Sequence, residues 1–384
     1  MIYDSPHLYR LQGLELGIPG TVLDNAIRQI AVLRGANLAP ILTLGHLARR
    51  IGAPHGYLRA IIERRIDPYE QFSRKRRDGH RMRIISAPTP VLMSVQRWIL
   101  QNILSRVDVH HASFAYTRGR SVAACARRHV GARFLLKFDL HNFFESINEL
   151  RVYSLYRGLG YAPLVSLELS RLCTRGSAFT SHRSILAPPN DKYVVVDEYR
   201  SKWLGFVPQG SPTSGAIANL VARQLDNELQ QLAEENRLSY TRYADDMMFS
   251  GAGELSRSLC RDIVRKVRGI TSDNGFQLHE KKTRIVSPGA RLVVLGVVLG
   301  TDGISLSREI KQRIERHLYG AERFHVHNHA NHFNFTSVIG FINHIRGLLD
   351  FAHDVDPVYA APRRERWNLV MARDAASFLR EPIT

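Results

Sequence analysis

Two adjacent acids sit inside a stretch of strand-forming residues, Tyr240-Thr241-Arg242-Tyr243-Ala244-Asp245-Asp246-Met247-Met248-Phe249-Ser250. The β-branched and aromatic residues on either side predict two strands joined by a tight turn, with Asp245 and Asp246 at its tip. Neighbouring carboxylates repel each other and are costly to desolvate, so a fold that presents them together needs a cation beside them. Phe134-Leu135-Leu136-Lys137-Phe138-Asp139-Leu140 supplies a third acid. This nearly continuous apolar run predicts a buried central strand ending in a carboxylate. Alone, Asp139 would read as a helix cap or an ion-pair partner; beside Asp245 and Asp246 it completes a set of three.

Charge sharpens that reading. The 384 residues include 53 Lys and Arg against 35 Asp and Glu, a net charge of +18. Such an excess points to a polyanionic partner, nucleic acid before an anionic membrane surface. Three acids gathered in so basic a chain suit magnesium, which takes carboxylate oxygens together with substrate phosphates. Two such ions about 4 Å apart can activate an attacking hydroxyl and stabilise a leaving pyrophosphate. Cys125, Cys173 and Cys260 are too few and too scattered for a disulfide scaffold or a Cys-based zinc site, and fit a reducing compartment. No basic-then-apolar leader is visible and no run approaches ~18 apolar residues, so a cytoplasmic protein without a membrane span is expected.

Other segments could serve the same chemistry. Gly205-Phe206-Val207-Pro208-Gln209-Gly210-Ser211-Pro212-Thr213-Ser214-Gly215 predicts a loop running into a helix over about 216–234, with small residues that let backbone approach a nucleotide. Asp78-Gly79 predicts a hairpin turn flanked by Arg74, Lys75, Arg76, Arg77, Arg81 and Arg83, either a phosphate cradle or a solvated charge run. An amphipathic helix is expected over 91–107. The first 65 residues read as helical, and the pair 42–51 and 57–65 is either a packed hairpin or a DNA-binding helix-turn-helix. Ile310, Ile314 and Leu318 share a face of a basic amphipathic helix that suits a template–primer backbone. His325, His327, His329 and His332 predict a polar loop, with zinc binding the lesser alternative.

Several of these segments together resemble reverse transcriptases, especially the bacterial retron-type branch. Phe138-Asp139-Leu140-His141-Asn142-Phe143-Phe144 resembles the first palm motif, Pro208-Gln209-Gly210-Ser211-Pro212-Thr213-Ser214 the second and Tyr243-Ala244-Asp245-Asp246 the third. Leu278-His279-Glu280-Lys281-Lys282-Thr283-Arg284 resembles the fourth, and Val294-Leu295-Gly296-Val297 the primer grip. The resemblance runs from about residue 66 onward. It implies an α+β right-hand polymerase with fingers, palm and thumb, its antiparallel palm sheet packed on helices. The implied division is an N-terminal helical region over 1–65, fingers over 66–134, palm over 135–300 with an inserted segment near 176–204, and thumb over 301–384. The resemblance further implies that Asp139, Asp245, Asp246 and the Leu140 carbonyl hold two Mg2+ ions. It assigns Phe144 as the sugar gate, Gln209 to the incoming dNTP and Lys282 as the acid that protonates pyrophosphate. Lys75 and Arg83 are expected on the triphosphate, with Arg76 or Arg81 as alternatives.

The expected partners are a structured RNA template, a nucleic-acid primer, dNTPs and the cDNA product, with no membrane. Two signatures depart from the retron pattern. Cys125-Ala126-Arg127-Arg128-His129 stands where Asn-Ala-x-x-His is usual, and Val294-Leu295-Gly296 where Val-Thr-Gly is usual. These departures favour a related stand-alone enzyme of antiphage defence, copying a companion non-coding RNA. The alternatives are a true retron enzyme making RNA-linked single-stranded DNA, and a nucleic-acid-binding regulator that uses the N-terminal helices.

Overall fold

The computed structural model of the chain describes residues 5–75, 82–180 and 196–378. Arg76, the Asp78-Gly79 turn, Arg81 and residues 181–195 of the inserted segment lie outside these, as do the side chains of Lys75 and Arg83. The strands in chain order are β1 (Tyr69–Lys75), β2 (Met82–Pro88), β3 (Phe134–Asp139), β4 (Arg175–Gly176), β5 (Gly205–Phe206), β6 (Ser239–Tyr243), β7 (Asp246–Gly251), β8 (Arg284–Val286), β9 (Val293–Val294), β10 (Val297–Leu299) and β11 (Ile304–Leu306). The chain divides into two units, each assembled from separate stretches.

One unit takes 118–139, 229–267 and 279–384 and contains an antiparallel sheet ordered β6-β7-β3-β8. In β3, Phe134, Leu135, Leu136 and Phe138 are all buried, as an apolar run without alternation requires of a strand covered on both faces. Tyr243 pairs with Asp246, so β6 and β7 are joined by the two-residue turn Ala244-Asp245. Ala244 has φ +57°, the left-handed backbone that such a tight hairpin demands. Beneath the hairpin lies buried His129, its Nδ1 2.7 Å from Ser250 Oγ of β7 and its Nε2 2.7 Å from Thr241 Oγ1 of β6. Burial pulls its pKa down to about 4, so the ring is neutral and can donate from one nitrogen while accepting at the other. Cys125 Sγ donates to the same Thr241 hydroxyl at 3.3 Å.

A smaller sheet, ordered β11-β10-β9, follows in the same unit. Leu295 and Gly296 turn between β9 and β10 with φ +50° and +86°, the pattern of a primed hairpin turn. Lys137 Nζ of β3 donates to the Val293 carbonyl and so links the two sheets. The helix Arg308–Phe324 buries Ile314 and Leu318, as its apolar stripe predicts. The histidine-rich stretch is a correction to the expected polar loop: Val326–His332 is a helix, with His329 buried. His329 Nε2 lies 3.2 Å from His317 Nδ1, and Phe333 and Phe341 pack around the pair. Neutral imidazoles can be buried when ring faces surround them and each nitrogen finds a partner, which charge and polarity alone do not reveal.

The other unit takes 1–117, 140–228 and 268–278. The helices Leu44–Ile51 and His55–Ile62 form a capped hairpin: Thr43 caps the first and Gly52 closes it with φ +72°. β1 and β2 pair antiparallel from Tyr69↔Pro88 to Lys75↔Met82, a register that sets Arg83 opposite Arg74. The helix expected over 91–107 is Pro90–Asn102 followed by the 3₁₀ turn Leu104–Arg106. The helix expected over 216–234 is two, Ser214–Val221 and Arg223–Glu235, with a break at Ala222. Fully buried Glu149 holds this unit's interior: its carboxylate accepts from Arg64 at 2.7 Å, Arg171 at 2.7 Å and the Gly205 amide at 2.9 Å. β4 and β5 pair at the two ends of the inserted segment.

Candidate active site

Strand pairing is what brings the acids together. The register of β3 on β7 sets Asp139 directly opposite Asp246, and the turn from β6 places Asp245 next to it. Asp139 is buried at the end of β3. Its carbonyl accepts from the His279 amide at 2.7 Å, which anchors the 3₁₀ turn Glu280–Lys282 beside it. From that turn Lys282 Nζ donates to both Asp139 carboxylate oxygens, at 2.9 and 2.8 Å. Burial of the carboxyl, then the charges of Asp245 and Asp139, push the Asp246 pKa up to about 6, against the pull of Lys282 and Lys137. Asp246 nevertheless keeps a solvent-exposed surface, so the two neighbouring negative charges are the firmer cause.

Among the described residues no three His, Cys, Asp or Glu side chains form a ready-made cage for a metal ion. Hard divalent cations are commonly held by one or two carboxylates and completed by substrate phosphates and water. The acid pair opposite each other at the end of β3 and β7 fits such an ion in chemistry and in charge.

The second loop motif belongs to the other unit, and its backbone is locked there. The Ser86 amide of β2 donates to the Gln209 carbonyl at 2.7 Å, and Ser214 Oγ donates to the Pro208 carbonyl at 2.6 Å. Gly210 has φ +109°, and a Cβ there would stand 2.6 Å from Ile85 Cγ2, so only glycine fits the turn. Ser211 Oγ donates to Gln96 Oε1, while Gln96 Nε2 donates to the Tyr69 hydroxyl at 2.9 Å and the Leu172 carbonyl at 2.8 Å. Gln209 is thereby presented half-exposed on a rigid loop. Phe143 is buried against Phe276, with ring centroids 5.6 Å apart, and Phe144 beside it is half-exposed. Leu140 is buried and forms a bridge with Leu278.

The structure thus gathers Asp139, Asp245, Asp246 and Lys282 in one unit and carries Leu140, Phe144 and Gln209 on the other. Three residues packed against these elements are not marked by any catalytic motif. Lys137 is polar in an otherwise apolar strand, which is a visible signal. His129 figured only as part of a motif. Tyr116, whose ring centroid lies 5.9 Å from that of Phe144, has no signal beyond being aromatic.

A family model described as reverse transcriptase (RNA-dependent DNA polymerase) matches residues 74–299. The retron Ec86 reverse transcriptase of Escherichia coli is 29% identical over 276 residues, covering 72% of this chain and 72% of that protein. The retron Mx162 reverse transcriptase of Myxococcus xanthus is 30% identical over 328 residues, 81% of this chain and 63% of that protein. The retron Mx65 reverse transcriptase of the same organism is 32% identical over 261 residues, 67% of this chain and 57% of that protein.

Proposed function

The chain belongs to the reverse transcriptase family, in its bacterial retron-type branch, and on that premise we propose that it makes cDNA on a structured RNA template by extending a nucleic-acid primer with dNTPs. The observation that carries this reading is the register that sets Asp139 opposite Asp246 with Asp245 at the adjoining turn. In the reaction the primer 3′-hydroxyl loses its proton to solvent and its oxygen bonds to the α-phosphorus of the dNTP, the bond from that phosphorus to the oxygen bridging to the β-phosphorus breaks, and pyrophosphate leaves. Divalent ions, two Mg2+ in this proposal, would lower the hydroxyl's pKa and neutralise the leaving oxygens.

The chain's own residues divide the remaining work. Asp139, Asp245 and Asp246 hold the ions, with the Leu140 carbonyl as a further ligand. Lys282 neutralises Asp139 while substrate is absent, and on release from that pair it would give a proton to pyrophosphate. Gln209 orients the nucleotide from its locked loop, Lys75 and Arg83 hold the triphosphate, and Phe144 excludes a 2′-hydroxyl by steric overlap. The division into an N-terminal region over 1–65, fingers over 66–134, palm over 135–300 and thumb over 301–384 belongs to the same proposal.

A role in antiphage defence, copying a companion RNA in the cytoplasm, extends this reading; RNA-linked single-stranded DNA is the alternative product. The regulator reading loses ground because the reverse transcriptase model matches residues 74–299, outside the N-terminal helices that reading relies on. Primer extension on an RNA template tests the activity: wild type should use dNTPs in preference to NTPs, and Phe144→Ala should narrow that preference. Failure to extend with either nucleotide would overturn the proposal.

A further inference from the structure

Four aromatic rings form a row in the unit that carries Phe144. The Arg151 guanidinium carbon caps it, 4.2 Å from the Phe276 ring centroid. Successive centroids then lie 5.6 Å apart from Phe276 to Phe143, 5.5 Å from Phe143 to Phe144 and 5.9 Å from Phe144 to Tyr116, the last pair edge-to-face at 67°. Exposure is 2% at Phe276, 3% at Phe143 and 61% at Tyr116. Phe144 is therefore backed on its inner side by a core ring and meets a surface ring on its outer side.

That surface ring is held at a conformational cost. Tyr116 has φ +57°, a region that bulky side chains rarely enter. Its flanking residues are tied down by buried Asn219, whose Nδ2 donates to the Ala115 carbonyl at 2.7 Å and lies 3.5 Å from Thr117 Oγ1. Thr117 Oγ1 in turn donates to the Ala115 carbonyl at 3.2 Å. The space for the ring is left by Gly215, one helical turn before Asn219, where a Cβ would stand 2.4 Å from Tyr116 Cγ. Residues of the helix Ser214–Val221 thus both fix the strained turn and make room for its ring. An exposed tyrosine gains little burial from such an arrangement; what it gains is a fixed edge against Phe144.

We propose that Tyr116 is a positioning residue for sugar selection: its ring edge holds Phe144 in the orientation that excludes a 2′-hydroxyl. The proposal rests on Phe144 being the sugar gate. Without Tyr116, Phe144 would keep its inner support from Phe143 and lose the outer one. The ring could then tilt away from the nucleotide and admit a ribose.

The test is the ratio of kcat/KM for dNTP to that for NTP in wild type, Tyr116→Asn, Tyr116→Phe, Gly215→Ala and Phe144→Ala, with thermal midpoints measured alongside. Asparagine tolerates the left-handed backbone, so Tyr116→Asn removes the ring without adding strain. Its ratio should fall by about 2- to 10-fold, the factor that the loss of one aromatic edge contact corresponds to. Tyr116→Phe should keep the wild-type ratio, and Gly215→Ala, which displaces the ring, should lower it as Tyr116→Asn does. A general loss of stability lowers the midpoint and both efficiencies without moving their ratio. An unchanged ratio in Tyr116→Asn with a lowered one in Phe144→Ala would overturn the role of Tyr116 and leave the gate standing. An unchanged ratio in both would overturn the gate itself. A lowered ratio in Tyr116→Phe would assign the effect to the hydroxyl and overturn the proposal as stated.

Discussion

Asp246 carries a charge that the fold accommodates poorly, and its titration reports on the site. Its pKa near 6 lies above the ordinary 3.8: partial desolvation and, more firmly for so exposed a side chain, the charges of Asp245 and Asp139 disfavour ionisation. A carboxyl raised in this way binds its proton more tightly folded than unfolded. Its contribution therefore favours folding at low pH and is lost as pH climbs from about 4 to about 6. A divalent cation bound there would take the place of that proton, so on the proposed function Mg2+ should raise the thermal midpoint clearly at about pH 7.5 and little at about pH 5. Equal shifts at the two pH values would argue against a metal site at Asp246. The neighbouring phenylalanines divide differently. Phe143 is buried against Phe276, so Phe143→Ala should lower unfolding stability by roughly 3–5 kcal/mol in a urea titration. A loss under about 1 kcal/mol would show that the site collapses around the cavity.

At the scale of elements, what the sequence made legible was whatever local pattern decides. The apolar run of β3, the strand-turn-strand around Asp245 and the stripe of Ile314 and Leu318 need no distant partner to be recognised. The helix break at Ala222 and the buried histidine helix were missed because packing decides them. His129 reaches Ser250 across 121 positions and Glu149 reaches Arg64 across 85, separations at which periodicity carries no information. The site was legible to the same degree: the acids and Lys282 follow local motifs, whereas Tyr116 owes its place to Gly215 and Asn219. Glu149 gives a stability prediction of its own. Burial works against its ionisation, but Arg64 and Arg171 overcome it and bring the pKa down to about 2 from 4.5. This depressed pKa stabilises the fold above about pH 4.5, and the contribution disappears as pH falls toward 2. Glu149→Ala leaves two buried or nearly buried guanidinium groups uncompensated and should cost about 3–5 kcal/mol by equilibrium unfolding at neutral pH. Wild-type stability in that variant would mean that the arginines find other partners.

Over the whole molecule, an excess of 18 positive charges suits a polyanionic partner. Binding to a structured RNA should weaken steeply with salt, because each phosphate neutralised by Lys or Arg releases counterions and adds to the log–log slope. A binding constant that stays flat between low and moderate salt would contradict an electrostatic interface. No helix among the described residues is long and apolar enough to cross a membrane. Against this basic background the acids at the end of β3 and β7 are a local inversion of charge, and the central claim is that this inversion exists for metal-dependent DNA synthesis. The measurement that tests it most directly compares RNA-templated dNTP incorporation in Mg2+ with the metal-free thermal midpoint, for wild type, Asp245→Asn and Asp246→Asn. Both variants should lose synthesis while keeping or raising the midpoint, because a mutual repulsion has been removed and the isosteric amide keeps the fold. Full synthesis in both folded variants would contradict the account.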